Sequence, residues 1–331
     1  MKDYLCILGR DPKLSLLELI AYCRRKRLTH KLNSYSKTLA HLSLSQSPNI
    51  NELGGTVKIA EPTTLDHLIP NSNRITYAVT HIDSKDILDQ LKDFWKEQKV
   101  KAMQRYTNVR DIPPSKSKTL DLELIVYKNV LYKVTALSNP QEYRKRDEAR
   151  PSFDPLKVIS IRLAKILINL AEAQHEILDP FCGNGTILQE ALLLGYNVKG
   201  IDLSAGEAKK NMEWLGSQYK KKTHIMQGDA VKIIPTISSV ETVVTEPYLG
   251  PFLKKLPSEQ EAQKIIKELT ILYTNFFTAL SSKIKGKVVI ILPSIRSFQK
   301  THILDIPSIL SKTGFVVVSP LPSVKLPLEY E

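Results

Sequence analysis

Asp179-Pro180-Phe181-Cys182-Gly183-Asn184-Gly185-Thr186 decides how the second half of this 331-residue chain is read. An apolar run of strand length, Glu176 to Asp179, leads into it, and a helical pattern, Ile187 to Leu194, leads away. Two glycines in such a turn let the backbone approach a ligand closely, and the following helix offers N–H groups that have no partner inside it. A lone G-x-G pair is weak evidence, because any tight turn uses one. The residues around it sharpen the reading. Leu188 stands where a dinucleotide fingerprint would have its third glycine, which argues against a nicotinamide cofactor. Asp202, with Leu203 after it, ends the next strand 23 residues beyond Asp179, where a carboxylate can accept both hydroxyls of a ribose. Asp229, between Gly228 and Ala230, follows the third strand and can accept from an adenine amino group. The pattern predicts a nucleoside ligand with no pyrophosphate.

Outward from this loop, apolar runs of strand length alternate with helical segments at the spacing of a parallel α/β sheet. The expected order from Arg150 is helix Val158 to Ala173, strand Glu176 to Asp179, helix Ile187 to Leu194, strand Asn197 to Asp202, helix Gly206 to Leu215 and strand Thr223 to Gln227. Strand Glu241 to Thr245 and a helix from Glu259 to Ser281 come next, the helix opened by a capping box at Ser258 and Glu261. Strand Lys287 to Leu292, helix His302 to Ser311 and strand Phe315 to Ser319 complete it. In such an open sheet the chemistry belongs just beyond the carboxyl ends of the strands.

The first half reads as α+β. Strands are expected at Tyr4 to Leu8, Thr56 to Ile59, Arg74 to Thr80, Leu122 to Tyr127 and Val130 to Val134, with helices at Leu14 to Arg24 and Ser84 to Gln98. The polar stretches Ser34 to Asn51 and Asn108 to Lys118 read as loops. Net charge is +13, and the surplus sits early: residues 1–150 carry 26 basic and 17 acidic side chains, residues 151–331 carry 21 and 17. A polyanion suits such a half, since phosphates neutralised by Lys or Arg release counterions, although a merely soluble basic surface has the same composition. The clusters around Arg24, Arg25 and Arg27 and around Arg144, Arg146 and Arg150 are the candidate contacts for such a polyanion. Cys6, Cys23 and Cys182 have no metal-ligand spacing, so no metal is expected. Apolar runs such as Val288 to Leu292 fall far short of the roughly 20 residues of a membrane helix, and the N-terminus lacks a signal-peptide pattern. A cytoplasmic protein is expected.

The D-P-F-C-G-N-G-T loop, together with Asp202 and Asp229, resembles the Rossmann-like methyltransferases of the amino-methylating branch. The resemblance covers residues 150 to 331. It implies S-adenosylmethionine as cofactor, held by Asp179, Pro180, Phe181, Gly183, Gly185, Thr186, Asp202, Leu203, Gly228, Asp229 and Ala230. After the fourth strand, where that family has Asp, Asn or Ser before Pro-Pro and an aromatic, stands Thr245-Glu246-Pro247-Tyr248. An exocyclic amine on a base is a poor nucleophile because its lone pair is conjugated with the ring, so its hydrogens must be accepted and its base stacked. Tyr248 can stack. Two registers are open for the acceptor: Thr245 with the Glu246 carbonyl, or the Glu246 carboxylate in a shifted loop. The bland alternative is a Glu-Pro-Tyr turn with no chemistry.

The junction from Glu142 to Pro151, the helix ending in Asn169-Leu170-Ala171, and Leu53-Gly54-Gly55-Thr56-Val57-Lys58-Ile59 are similar to the archaeal and eukaryotic family that methylates the 2-amino group of guanosine 10 in tRNA. This implies a Rossmann-like methyltransferase domain at 158–331, a linker at 139–157, a THUMP-like RNA-binding domain at 65–138 and an N-terminal α+β domain at 1–64. Transfer RNA is then the expected partner. Two other readings stand beside it. One is an RNA-binding protein that retains S-adenosylmethionine without turnover, since Thr245 and Glu246 depart from the family pattern. The other is a DNA amino methyltransferase, for which only the basic first half could recognise a target.

Overall fold

A computed structural model describes residues 1–107, 111–153 and 158–318, and the chain divides between Lys145 and Arg146 into two compact units. In the first, β1 (Lys2–Leu8), α1 (Pro12–Arg25), β2 (His30–Tyr35), β3 (Leu39–Leu44), β4 (Thr56–Pro62) and β5 (Arg74–Ile82) follow one another. They are succeeded by α2 (Leu88–Glu97), β6 (Lys101–Gln104), α3 (Pro114–Ser117), β7 (Leu122–Tyr127) and β8 (Val130–Leu137). Among the described residues the strands make one eight-stranded sheet, in the order β2-β3-β1-β4-β8-β7-β5-β6. Because β4 pairs antiparallel with β8, this sheet runs without a break past the boundary expected at residue 64.

The stretch Ser34 to Asn51, expected as a loop, contains β3 instead. Ala40, Leu42 and Leu44 are buried on one face while His41 and Ser43 alternate with them on the other, where Leu39 is also buried, so a polar composition hid a period of two. Similarly, α3 lies inside the loop expected at Asn108 to Lys118, of which residues 108–110 fall outside the described part.

The Gly54-Gly55 turn has a specific cause. Glu18, fully buried on α1, accepts from Gly54 N and Gly55 N at 2.7 Å each, so one carboxylate satisfies two adjacent backbone donors. Helix and turn are so close that a Cβ on Gly55 would sit 2.6 Å from Ser15 Cα. Gly55→Ala is therefore expected to destabilise this unit by about 1–3 kcal/mol through overpacking. Urea unfolding followed by Trp95 in a Trp214→Phe background measures it, and an unshifted midpoint would show that helix and turn separate without cost. A second buried pair, Lys58 Nζ to Glu123 Oε1 at 2.5 Å, links β4 to β7.

In the second unit α4 (Pro140–Ala149) crosses the division, and α5 (Ile161–Ala171) starts on Ser160, whose hydroxyl accepts from Leu163 N. Then come β9 (Glu176–Asp179), α6 (Thr186–Leu193), β10 (Asn197–Asp202), α7 (Gly206–Leu215), β11 (Thr223–Gln227), α8 (Ala230–Ile233) and β12 (Val243–Thr245). The rest is α9 (Glu259–Ser281), β13 (Val288–Ile290), the hairpin β14 (Ser294–Arg296) and β15 (Thr301–Ile303), and α10 (Ile306–Thr313). Five strands pair in the order β11-β10-β9-β12-β13, all parallel, with apolar clusters on both faces. The order reverses between β9 and β12, which is where an open sheet of this kind leaves a crevice.

Two expectations fail near the end. His302 lies in β15, and α10 begins only at Ile306, because Asp305 caps it by accepting from Ser308 N and Pro307 favours a first turn. Phe315 to Val318 form no strand, and Val316, Val317 and Val318 are exposed; Ser319 lies outside the described residues, as do residues 154–157 of the expected linker. Among the described residues no helix is long and apolar enough to cross a membrane.

Candidate functional site

The loop after β9 is shaped by its glycines. Gly183 and Gly185 have φ of +50° and +84°, the left-handed region that side chains avoid. A Cβ on Gly183 would meet nothing within 4 Å, so the loop borders open space there. Gly185 precedes α6, whose first residue is Thr186. Pro180 is buried, and Phe181 packs edge-on to Phe276 of α9 with ring centroids 5.4 Å apart.

Asp202, at the end of β10, ties the loop to the sheet: its carboxylate accepts from Gly183 N at 2.9 Å and from Ser204 N at 2.8 Å. Each oxygen retains a lone pair. Gly228 N donates to the Asp202 carbonyl at 2.9 Å, which holds the end of β11 alongside. Asp229 caps α8 by accepting from Val231 N at 2.9 Å, Ala230 is buried, and the Leu203 side chain is 74% exposed.

Asp179 is 2% exposed and accepts from Thr245 Oγ1 at 2.7 Å and from Phe181 N at 3.2 Å. Burial pushes its carboxyl up to about 7, the Thr245 and Phe181 hydrogen bonds oppose this, and the nearby negative Asp202 and Glu246 add to it. Between the usual 3.8 and about 7 the folded protein holds a proton that the unfolded chain has released. Stability from this group is thus full below the unfolded value and falls as pH rises through that window. Asp179→Asn can keep both hydrogen bonds, so its melting temperature relative to wild type is expected to climb by several degrees from pH 5 to pH 8. A difference that does not change with pH would mean that Asp179 ionises in the ordinary range.

The segment after β12 meets this loop because β12 lies beside β9. Thr245 is fully buried with its hydroxyl committed to Asp179. Glu246, half-buried and with its carboxyl raised by burial, lines one cleft together with Asp179, Phe181, Gly183, Asn184 and Thr186. Pro247 is buried, and Tyr248 is 55% exposed with its carbonyl accepting from the buried Tyr273 hydroxyl at 2.8 Å. The eleven residues expected around a nucleoside and the four expected at the acceptor loop thus all lie at the carboxyl ends of β9, β10, β11 and β12.

The arginine set is redistributed. Arg150, expected at an RNA surface, is buried, its guanidinium donating to Asp147 Oδ1 and Thr186 Oγ1 at 2.7 Å each. Arg146 donates to both carboxylate oxygens of the fully buried Glu190, at 2.9 and 3.0 Å, with Lys165 3.9 Å away. Both correct the expectation for a physical reason: they are countercharges and braces inside the second unit. In the first unit Arg25 pairs with Glu52 at 2.9 Å, Arg24 is half-buried, and Arg27 and Arg144 are exposed.

Sequence reasoning missed Asn211 on α7. Its amide donates to the carbonyls of Asn184 at 2.8 Å and Ser152 at 2.9 Å and accepts from Ser152 N at 3.0 Å, pinning the glycine loop. An asparagine inside a helix carries no signal of that. Asn184, between the two glycines, lies in the quoted motif but was not singled out; its buried Nδ2 has no partner among the described residues. The donors and acceptors present fit a nucleoside with an amino-acid tail: free carboxylate lone pairs at the ends of β10 and β11, and an orphaned donor and helix N–H groups in the glycine loop. Among the described residues no three His, Cys, Asp or Glu side chains gather as metal ligands.

Residues 149–305 match the family model described as RMKL-like, methyltransferase domain. The chain is 31% identical over 159 residues to a tRNA (guanine(10)-N2)-dimethyltransferase of Pyrococcus abyssi, covering 46% of this chain and 44% of that protein. It is 29% identical over 138 residues to the protein of that name from Methanothermobacter thermautotrophicus, covering 41% and 40%. The matches span less than half the length of these curated relatives. The solved structure of TrmN from Thermus thermophilus aligns over 94% of this chain and 91% of its own, at 15% identity and a TM-score of 0.48.

Proposed function

We propose that the chain methylates the exocyclic 2-amino group of a guanosine in cytoplasmic tRNA, position 10 being the expected one, from the premise that residues 149–305 match an RMKL-like methyltransferase domain. One observation carries the reading: the D-P-F-C-G-N-G-T loop and the Thr-Glu-Pro-Tyr segment meet in one cleft, with Asp179 bonded to Thr245. The names of the two curated relatives support the nucleotide.

In this reading Asp202 accepts the ribose hydroxyls, Asp229 with Gly228 and Ala230 faces the adenine, Leu203 covers its apolar side, and the Asp179–Thr186 loop lies beside the methionine part. Bound there, S-adenosylmethionine supplies an electrophilic sulfonium methyl. The chain's own residues orient the amine. Thr245 fixes Asp179, the Glu246 carboxylate accepts an amine hydrogen and stabilises the positive charge that develops on nitrogen, and Tyr248 stacks the guanine. The exposed Arg27 and Arg144, with Arg24 and Arg25, contribute phosphate contacts from the first unit, in which residues 65–138 act as a THUMP-like module whose sheet is continued by residues 1–64.

Transfer of tritiated methyl to unmodified tRNA and to duplex DNA, followed by mass spectrometry of the nucleosides, tests this. N2-methylated guanosine from tRNA alone is the expected result. Transfer only to DNA would remove the substrate, and cofactor binding without transfer to any RNA would favour a non-catalytic RNA-binding protein.

A further inference from the structure

Two more segments leave the sheet at the end that carries the site. The first joins β12 to α9, and its residues 251–256, Pro-Phe-Leu-Lys-Lys-Leu, are exposed throughout, Phe252 at 77%. Its ends are fixed: the Tyr273 hydroxyl holds the Tyr248 carbonyl, Pro257 is buried, and Ser258 closes the capping box of α9. The second is the β14–β15 hairpin after β13. Its tip bears Phe298, 78% exposed, between the exposed Arg296 and Lys300. Its root is pinned to Glu259, the first residue of α9, which accepts from Ser297 Oγ, from His302 Nε2 at 2.8 Å and from Gln299 N at 3.3 Å. The two segments adjoin, since a Cβ on Gly250 would lie 3.8 Å from Ile295 Cδ1.

Each rooted segment therefore offers one solvent-facing phenylalanine with cations next to it. Glu259 is occupied by the hairpin, and Glu261 accepts from Ser258 N at 2.8 Å in the capping box, with Lys255 the cation near it. A side chain with 77% or 78% of its surface in water contributes nothing to a core. An aromatic face beside cations matches a nucleic acid strand, whose bases stack and whose phosphates pair. The target chemistry makes the same demand. An amine on a paired base is reached by taking that nucleotide out of its stack, and the neighbours left behind need a new surface.

We propose that these two segments form a second RNA grip on the methyltransferase unit, in which Phe252 and Phe298 stack on nucleotides adjoining the target and Lys254, Lys255, Arg296 and Lys300 hold the phosphates. The proposal rests on the RNA methyltransferase reading and places recognition of the strand beside the cleft as well as in the basic first unit.

The test uses the full-length protein and an unmodified tRNA transcript, with binding read by fluorescence anisotropy over a salt series and cofactor affinity by calorimetry. Phe252→Ala and Phe298→Ala should each weaken RNA binding by roughly 5- to 100-fold, Phe252→Tyr should restore it, and cofactor affinity should stay unchanged. Lys254→Ala with Lys255→Ala should lower the slope of log affinity against log salt by about one to two. Wild-type affinity and slope in these variants overturn the grip, whether or not the wild type transfers methyl. So does a wild-type dimer in sedimentation that the variants abolish while binding RNA normally, because the surface then serves a second copy of the chain. Failure of the parent reading is a separate result: RNA bound through these residues and no methyl transferred.

Discussion

Glu246→Gln is expected to lower single-turnover methyl transfer by about tenfold to a thousandfold, with cofactor affinity little changed. Of the two registers open in the sequence, the geometry favours the carboxylate. Thr245 is buried and spends its hydroxyl proton on Asp179, whereas Glu246 lines the cleft beside Asp179 and Asn184. Glutamine keeps the shape and one carbonyl acceptor. It loses the negative charge that steadies a nitrogen becoming positive, and in a half-buried setting water compensates poorly for that loss. Tyr248→Ala should cost about 1–3 kcal/mol of base stacking in the same assay. Thr245→Ala should be milder and should act through Asp179. A fully active Glu246→Gln protein beside an inactive Thr245→Ala protein would restore the unshifted register.

The second unit was legible because its signals are local. Strands Glu176–Asp179, Asn197–Asp202 and Thr223–Gln227 and helices Gly206–Leu215 and Glu259–Ser281 have the bounds that apolar runs and caps predict. A buried parallel strand shows as a short apolar run, and β9 and β12 stop at Asp179 and Thr245, the polar residues that meet in the cleft. In the first unit the signal is weaker. An antiparallel strand such as β3 has one partly exposed face, and His41 and Ser43 on that face made it look like a loop. Charge was the least readable quantity. Nothing in the sequence says that Glu190 is fully buried, and only that burial turns Arg146 from a surface cation into a countercharge. The same holds for Arg150, whose neighbours Asp147 and Thr186 come together only when the glycine loop is folded.

Replacing Asp202 by Ala is expected to weaken S-adenosylmethionine binding by tenfold or more. Its oxygens already accept from Gly183 N at 2.9 Å and Ser204 N at 2.8 Å, and one lone pair on each is left for a ribose hydroxyl. Hydrogen bonds to a charged acceptor are worth about 1.5–3 kcal/mol each, and about 1.4 kcal/mol is a factor of ten in affinity. The structure adds a second route to the loss. Without the carboxylate Gly183 N has no partner, so the glycine loop itself loses a tether and the methionine part of the site loosens with the ribose part. Asp202→Asn separates the two contributions, because its carbonyl oxygen can still receive Gly183 N while the amide nitrogen cannot accept from a hydroxyl. Calorimetry should therefore rank the affinities wild type, Asn, Ala. Equal losses for Asn and Ala would assign the whole effect to the ribose hydrogen bonds. Unchanged affinity in both would remove Asp202 from the site, and tighter binding of a nicotinamide dinucleotide than of S-adenosylmethionine would overturn the nucleoside reading of the loop.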